Sequence, residues 1–81
     1  MKLFEVYNYS DSETGAVMST SKAINVSLIE EAVKIDAIQQ GTRYDEGEII
    51  TIHAVPELVA VKMVSGTTYR LIASFDEFIQ E

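Results

Sequence analysis

Only a few residues in this 81-residue chain have types and spacings that could do chemistry. The single histidine, His53, lies in a β-branched run with no cysteine anywhere in the chain. A zinc site needs three or four N, S or O ligands, so one here would have to be built almost wholly from carboxylates, against the metal's preference. His53 therefore reads as a strand histidine hydrogen-bonded to a neighbour. Two groups of oxygen ligands sit beside glycines, Asp11 with Glu13 and Asp45 with Glu46 and Glu48. A calcium loop starting at Asp11 requires Gly at its sixth position and Glu at its twelfth, where the chain has Ala16 and Lys22. Both groups read as solvated loop acids, and neither a metal nor a cofactor is expected.

Acid/base or nucleophilic catalysis is no better supplied. None of the four glycines forms a nucleophile elbow, a Walker loop or a Gly-x-Gly-x-x-Gly turn. Asp36 and Lys62 are the two charged residues that the apolar pattern places near a core, and they read as a boundary or paired structural couple. The expectation is a non-enzymatic protein.

Charge narrows the partner class. Thirteen acidic residues against six basic ones leave a net charge of -7. The six cations, Lys2, Lys22, Lys34, Arg43, Lys62 and Arg70, are scattered with no two adjacent. Such a domain repels phosphate, so direct nucleic-acid binding is disfavoured. Mimicry of nucleic acid is under-supplied as well. A compact chain of this size has a radius near ~12 Å, and a duplex as long as its ~24 Å diameter carries ~14 phosphates at one per ~1.7 Å. The acidic surface instead steers toward a protein with a basic surface.

The elements that must position these residues follow from periodicity. Residues 2–9 alternate as a strand, with Tyr7 and Tyr9 on one side, and a polar loop ending at Gly15 leads into a second, edge-like arm. Ser27-Leu28-Ile29-Glu30 has the capping-box spacing. Leu28, Ala32, Ile35 and Ile38 then share one helical face, with Gly41 placed to end the helix. A polar loop over residues 42–47 precedes three extended runs, residues 48–55, 58–64 and 67–73, read as an antiparallel meander joined at Pro56-Glu57 and Ser65-Gly66. Ser74-Phe75-Asp76-Glu77 repeats the capping box and opens a short C-terminal helix.

The expected fold is a single α+β domain over residues 1–81, ordered β(β)-α-β-β-β-α, its antiparallel sheet of four or five strands packed on one main helix. No apolar run approaches the roughly 20 residues of a membrane span, and the acid at Glu5 comes too early for a signal peptide. A soluble, cytoplasmic protein is expected, located in the host cytoplasm if phage-encoded.

The capped segment Ser27 to Ile35, followed by a glycine-containing loop and the run from Ile49 to Ile72, resembles the strand-helix-three-strand plan of some anti-CRISPR proteins, small phage-encoded antagonists of host defence. The resemblance implies an inhibitor that occludes a nucleic-acid-handling protein; it assigns no residue a role. The residues themselves propose Tyr7, Tyr9, Tyr44 and Tyr69 as contact anchors, with Asp45, Glu46 and Glu48 at the rim. A self-associating module that buries the open sheet face in a homodimer is the alternative.

Overall fold

The computed structural model describes residues 1–80. It contains seven strands in two antiparallel sheets: β1 (Lys2–Ser10), β2 (Val17–Ile24), β3 (Ile29–Ile35), β4 (Gly41–Asp45), β5 (Glu48–Ile52), β6 (Leu58–Met63) and β7 (Thr68–Ile72). A 3-10 turn, Val26–Leu28, and a short helix α1, Phe75–Ile79, complete the chain. The expected α+β arrangement with a main helix covering the sheet is thus corrected to a mostly β protein.

The main helix fails for a specific reason. Residues 29–35 form β3, paired with β6 from Ile29 opposite Met63 to Ile35 opposite Leu58. A register shift between Ile29 and Glu31 inserts Glu30 as an extra residue. Ile29 and Ala32, three apart, consequently both pack on the core. A bulged strand has here the i, i+3 spacing of a helix. The supposed helical core positions Leu28 and Ile38 are 46% and 51% exposed. The first capping box does not form either: Asn25 caps the 3-10 turn, its Oδ1 accepting from Ser27 N–H at 3.1 Å and from Ser27 Oγ at 2.7 Å.

The main sheet has the order β2-β1-β7-β6-β3. Laid flat, five strands span about 19 Å between the outer two, at ~4.8 Å per gap. Yet the edge strands β2 and β3 are joined by residues 25–28 alone, mostly a 3-10 turn that advances only ~2 Å per residue. The sheet is therefore rolled until its edges approach, and Val64 N–H donates to Leu28 C=O at 2.9 Å near that seam. Phe4, Ile24, Val59, Val61, Met63 and Leu71 fill the interior, with Val59, Val61 and Leu71 fully buried. Helix α1 closes this core with Phe75 and Phe78, the Phe78 ring lying 6.0 Å from that of Phe4.

The expected loop over residues 42–47 is mostly strand, and the expected hairpin at Pro56 is absent. Ile35 pairs with Leu58, Ile38 with Val55 and Gly41 with Ile52, so that from Glu31 outward, beyond the bulge, paired residue numbers keep one constant sum. β3 with β6 and β4 with β5 are two lengths of one ribbon, leaving the rolled sheet as an arm and returning. Pro56 falls opposite Ala37, in a gap between paired stretches where no ladder donor is required. From Glu31 to the turn the ribbon measures about 48 Å at ~3.4 Å per residue, close to the molecule's 49 Å long axis. Its radius of gyration is 15.0 Å, against ~12 Å for a compact chain of this length.

A candidate protein-binding arm

The arm ends in a two-residue turn at Glu46 and Gly47, flanked by the pair Asp45 and Glu48. Both turn residues have positive φ, 51° at Glu46 and 84° at Gly47, as the type I′ turn favoured by the twist of a hairpin requires. One rung inward, Tyr44 and Ile49 face each other across the ribbon. They are 78% and 65% exposed, an aromatic and β-branched pair that stabilises the rung while leaving most of its surface to solvent.

The sequence proposed seven contact residues, and the structure separates them. Tyr44, Asp45, Glu46 and Glu48 come together at the tip of the arm, all exposed. Tyr7 and Tyr69 are half-buried in the rolled sheet. The Tyr7 hydroxyl is 2.7 Å from Ser10 Oγ, and its ring lies under the Arg70 guanidinium at 5.2 Å. The Tyr69 ring carries Lys22 Nζ at 5.2 Å. Tyr9 is exposed, but beside the β1–β2 loop and away from the tip residues in the sheet order. What sequence reasoning missed is Ile49, placed inside a strand of the meander; the Glu46-Gly47 pair, turn-type residues just before a β-branched run, was the available signal that Tyr44 would face it.

Charge is unevenly distributed. Residues 36–57 carry five carboxylates and only Arg43, a net -4 of the chain's -7 with His53 neutral. Lys2, Lys22 and Arg70 each lie over an aromatic ring of the rolled sheet. Lys34 sits at the arm's base, 3.7 Å from Asp36 and 4.0 Å from Glu57. Asp36 therefore pairs with Lys34, whereas Lys62 stands opposite Glu31 in the ladder. The 49 Å long axis also weakens any likeness to nucleic acid, because a duplex of that length bears ~29 phosphates.

Partway along its length, outside the Ile38–Val55 bridge, the arm meets the β1–β2 loop. Asp11 Oδ1 accepts the backbone N–H groups of Glu13 at 2.8 Å and Thr14 at 3.2 Å. Those two bonds, with a smaller contribution from His53, hold its carboxyl below the ordinary aspartate value. The same loop brings Gly15, at φ +76°, against the side chain of His53.

One open groove of about 420 Å³ is lined by Lys2, Val26, Ser27, Ile29, Phe78 and Ile79, and a shallower one of equal volume runs along the β1–β2 loop past Tyr9, Asp11 and Glu13. The first groove has Lys2 as its only titratable group, and the second has its acids on an exposed loop. Among the described residues no three His, Asp or Glu side chains gather as metal ligands, and no helix is long and apolar enough to cross a membrane. Comparison with protein-family models, with curated proteins and with solved structures found no match.

Proposed function

We propose that this chain is a non-enzymatic binding protein that occludes a protein partner with a basic surface, in keeping with an inhibitor of a nucleic-acid-handling protein, and that the arm is its contact element. The observation that carries this reading is the composition of the arm: an exposed Tyr44–Ile49 pair, ringed by Asp45, Glu46 and Glu48, held away from the rolled sheet. Tyrosine and isoleucine supply desolvatable area at the centre of such a contact, while surrounding carboxylates speed encounter with a cationic surface and disfavour others. The projecting ribbon can enter a cleft that a compact domain could not reach.

The test is affinity capture at low salt with the purified chain as bait, alongside a variant carrying Tyr44→Ala, Asp45→Asn, Glu46→Gln and Glu48→Gln. The expected result is a stoichiometric partner that salt releases and that the variant fails to retain. Recovery of no stoichiometric partner, or of one held equally by the variant, overturns the proposal.

A further inference from the structure

We infer that the outer edge of β5, Glu48–Ile52, is a docking strand that receives an extended cationic segment of the partner by adding a third strand to the arm. The inference rests on the proposed binding role and specifies its mode. Three features support it. First, β4 and β5 form a two-stranded sheet on their own, and an isolated two-stranded ribbon in water is only marginally stable, whereas a third strand makes it independently stable. Second, the edges differ in protection. Proteins guard exposed edges with charged side chains, above all Lys, with Pro or with bulges; β4 has Arg43 at its centre, while β5 reads Glu-Ile-Ile-Thr-Ile, its one charge at the tip end, and pairs without a bulge.

Third, the hydrogen-bonding phase leaves donors and acceptors in place. The two-residue turn makes Asp45 and Glu48 a hydrogen-bonded pair, and alternation then gives the same status to Arg43 with Ile50 and to Gly41 with Ile52. Ile49 and Thr51 consequently turn their N–H and C=O groups outward, ready for another strand. Charge selects which strand comes. No cation lies on β5, Glu48 is within it, and Asp45 and Glu46 adjoin it, so a segment alternating Lys or Arg with β-branched residues is favoured over a second copy of a -7 chain.

The experiment titrates the isotope-labelled full chain with the peptide Lys-Val-Lys-Val-Lys-Val-Lys and follows amide shifts and hydrogen exchange. The expected result is slowed exchange at Ile49 and Thr51, affinity falling about fivefold or more between low salt and ~0.3 M, and loss of binding when the peptide is N-methylated at alternate residues. Thr51→Pro, which removes an outward donor, should abolish binding, while Thr42→Pro on the opposite edge should preserve it. Equal binding of a Glu-Val peptide, shifts confined to other strands, no shift at all, or concentration-dependent dimerisation through β5 in sedimentation would overturn the inference. Peptide binding that survives Thr51→Pro and N-methylation but not Tyr44→Ala would overturn the edge mode and leave the broader binding role standing.

Discussion

His53 rests directly on Gly15. A Cβ built on Gly15 would lie 2.8 Å from His53 Nδ1, 2.9 Å from Cγ and 3.0 Å from Cβ. The contact therefore involves the root of the histidine side chain, which rotation about its outer bonds cannot remove. Because His53 follows β5 and Gly15 closes the β1–β2 loop, this contact ties the arm to that loop partway along its length, outside the Ile38–Val55 bridge.

Gly15→Ala should destabilise the chain by about 2 kcal/mol, combining the cost of an L-residue at positive φ with overpacking against the imidazole. That lowers the melting temperature by roughly 8–16 °C in a domain of this size. Adding His53→Ala should restore the steric part, about half, and leave the backbone part. Strict additivity of the two substitutions in urea titrations would show that the pair does not interact.

The same loop sets an acid limb. The Asp11 carboxyl is held below its ordinary value mainly by the Glu13 amide, so protons bind the unfolded chain more readily. A depressed carboxyl contributes stability above the unfolded value, about 3.9, and loses it as pH falls through the lower folded value. Asp11→Asn should be less stable than the parent at pH 5 and converge with it on further acidification. Parallel unfolding curves with a constant gap across that range would contradict the assignment.

The rolled core and the arm were legible in the sequence to different degrees. β1, the loop to Gly15, β6 and β7 follow from extended apolar runs and turn residues, because nothing local competes with those signals; the terminal helix forms where the second capping box places it, but without the Ser74 cap bond. The capping-box spacing at Ser27 and the arc of Leu28, Ala32 and Ile35 point to a helix over β3, yet Leu28 and Ile35 stay exposed, and the bulge at Glu30 instead brings Ile29 and Ala32, three apart, onto one face of a strand. Only the demand of β6 for a partner on its second edge decides for a strand, and that demand is not local. Thr42, Arg43 and Asp45 lack the apolar alternation of a half-buried strand and so point to a loop; in an arm with solvent around it, β4 requires no such alternation. The acidic tip was identified as a group, but its junction with Ile49 depends on register.

Helix α1 takes its N-terminal acceptor from the arm's base. Ser74 makes no side-chain cap bond; the Phe75 N–H donates instead to Glu57 Oε2 at 2.6 Å. Glu57→Ala should cost about 1–2 kcal/mol, since a charge-assisted bond to a free helix amide is lost. Ser74→Ala should cost under ~0.5 kcal/mol, far less than an N-cap that makes its usual bond. Thermal denaturation of the two variants tests the order, and a larger loss at Ser74 would refute it.

Glu46 occupies the left-handed region at φ 51° without the tolerance of glycine or asparagine. Glu46→Asn should relieve about 0.5–1 kcal/mol of local strain and produce the favoured Asn-Gly turn. The gain belongs to the arm, so exchange at Ile50 and Ile52 should slow about two- to fivefold, while the melting temperature of the rolled sheet barely moves. Unchanged exchange in the arm would mean that the turn does not limit its opening.

The constant register makes the arm removable. Ile35 and Leu58 are paired, and Asp36 and Glu57 would be the next rung outward. Replacing residues 37–56 by a flexible Gly-Ser-Gly-Ser loop closes the ribbon one rung beyond the sheet without needing the hydrogen-bonded flanking pair that a two-residue turn demands, a status that alternation from Ile35 and Leu58 denies to Asp36 and Glu57. The core residues and the Glu57–Phe75 bond all lie on the retained side. The shortened chain should fold with a β-type circular dichroism spectrum, and its radius of gyration should fall from 15.0 Å to about 11 Å. Its stability should drop by about 1–2 kcal/mol, the order of the packing lost where His53 covers Gly15. Scattering and denaturation measure both quantities. A chain that unfolds outright would show that the arm is part of the folding unit; one that folds but no longer captures a partner would place recognition in residues 37–56.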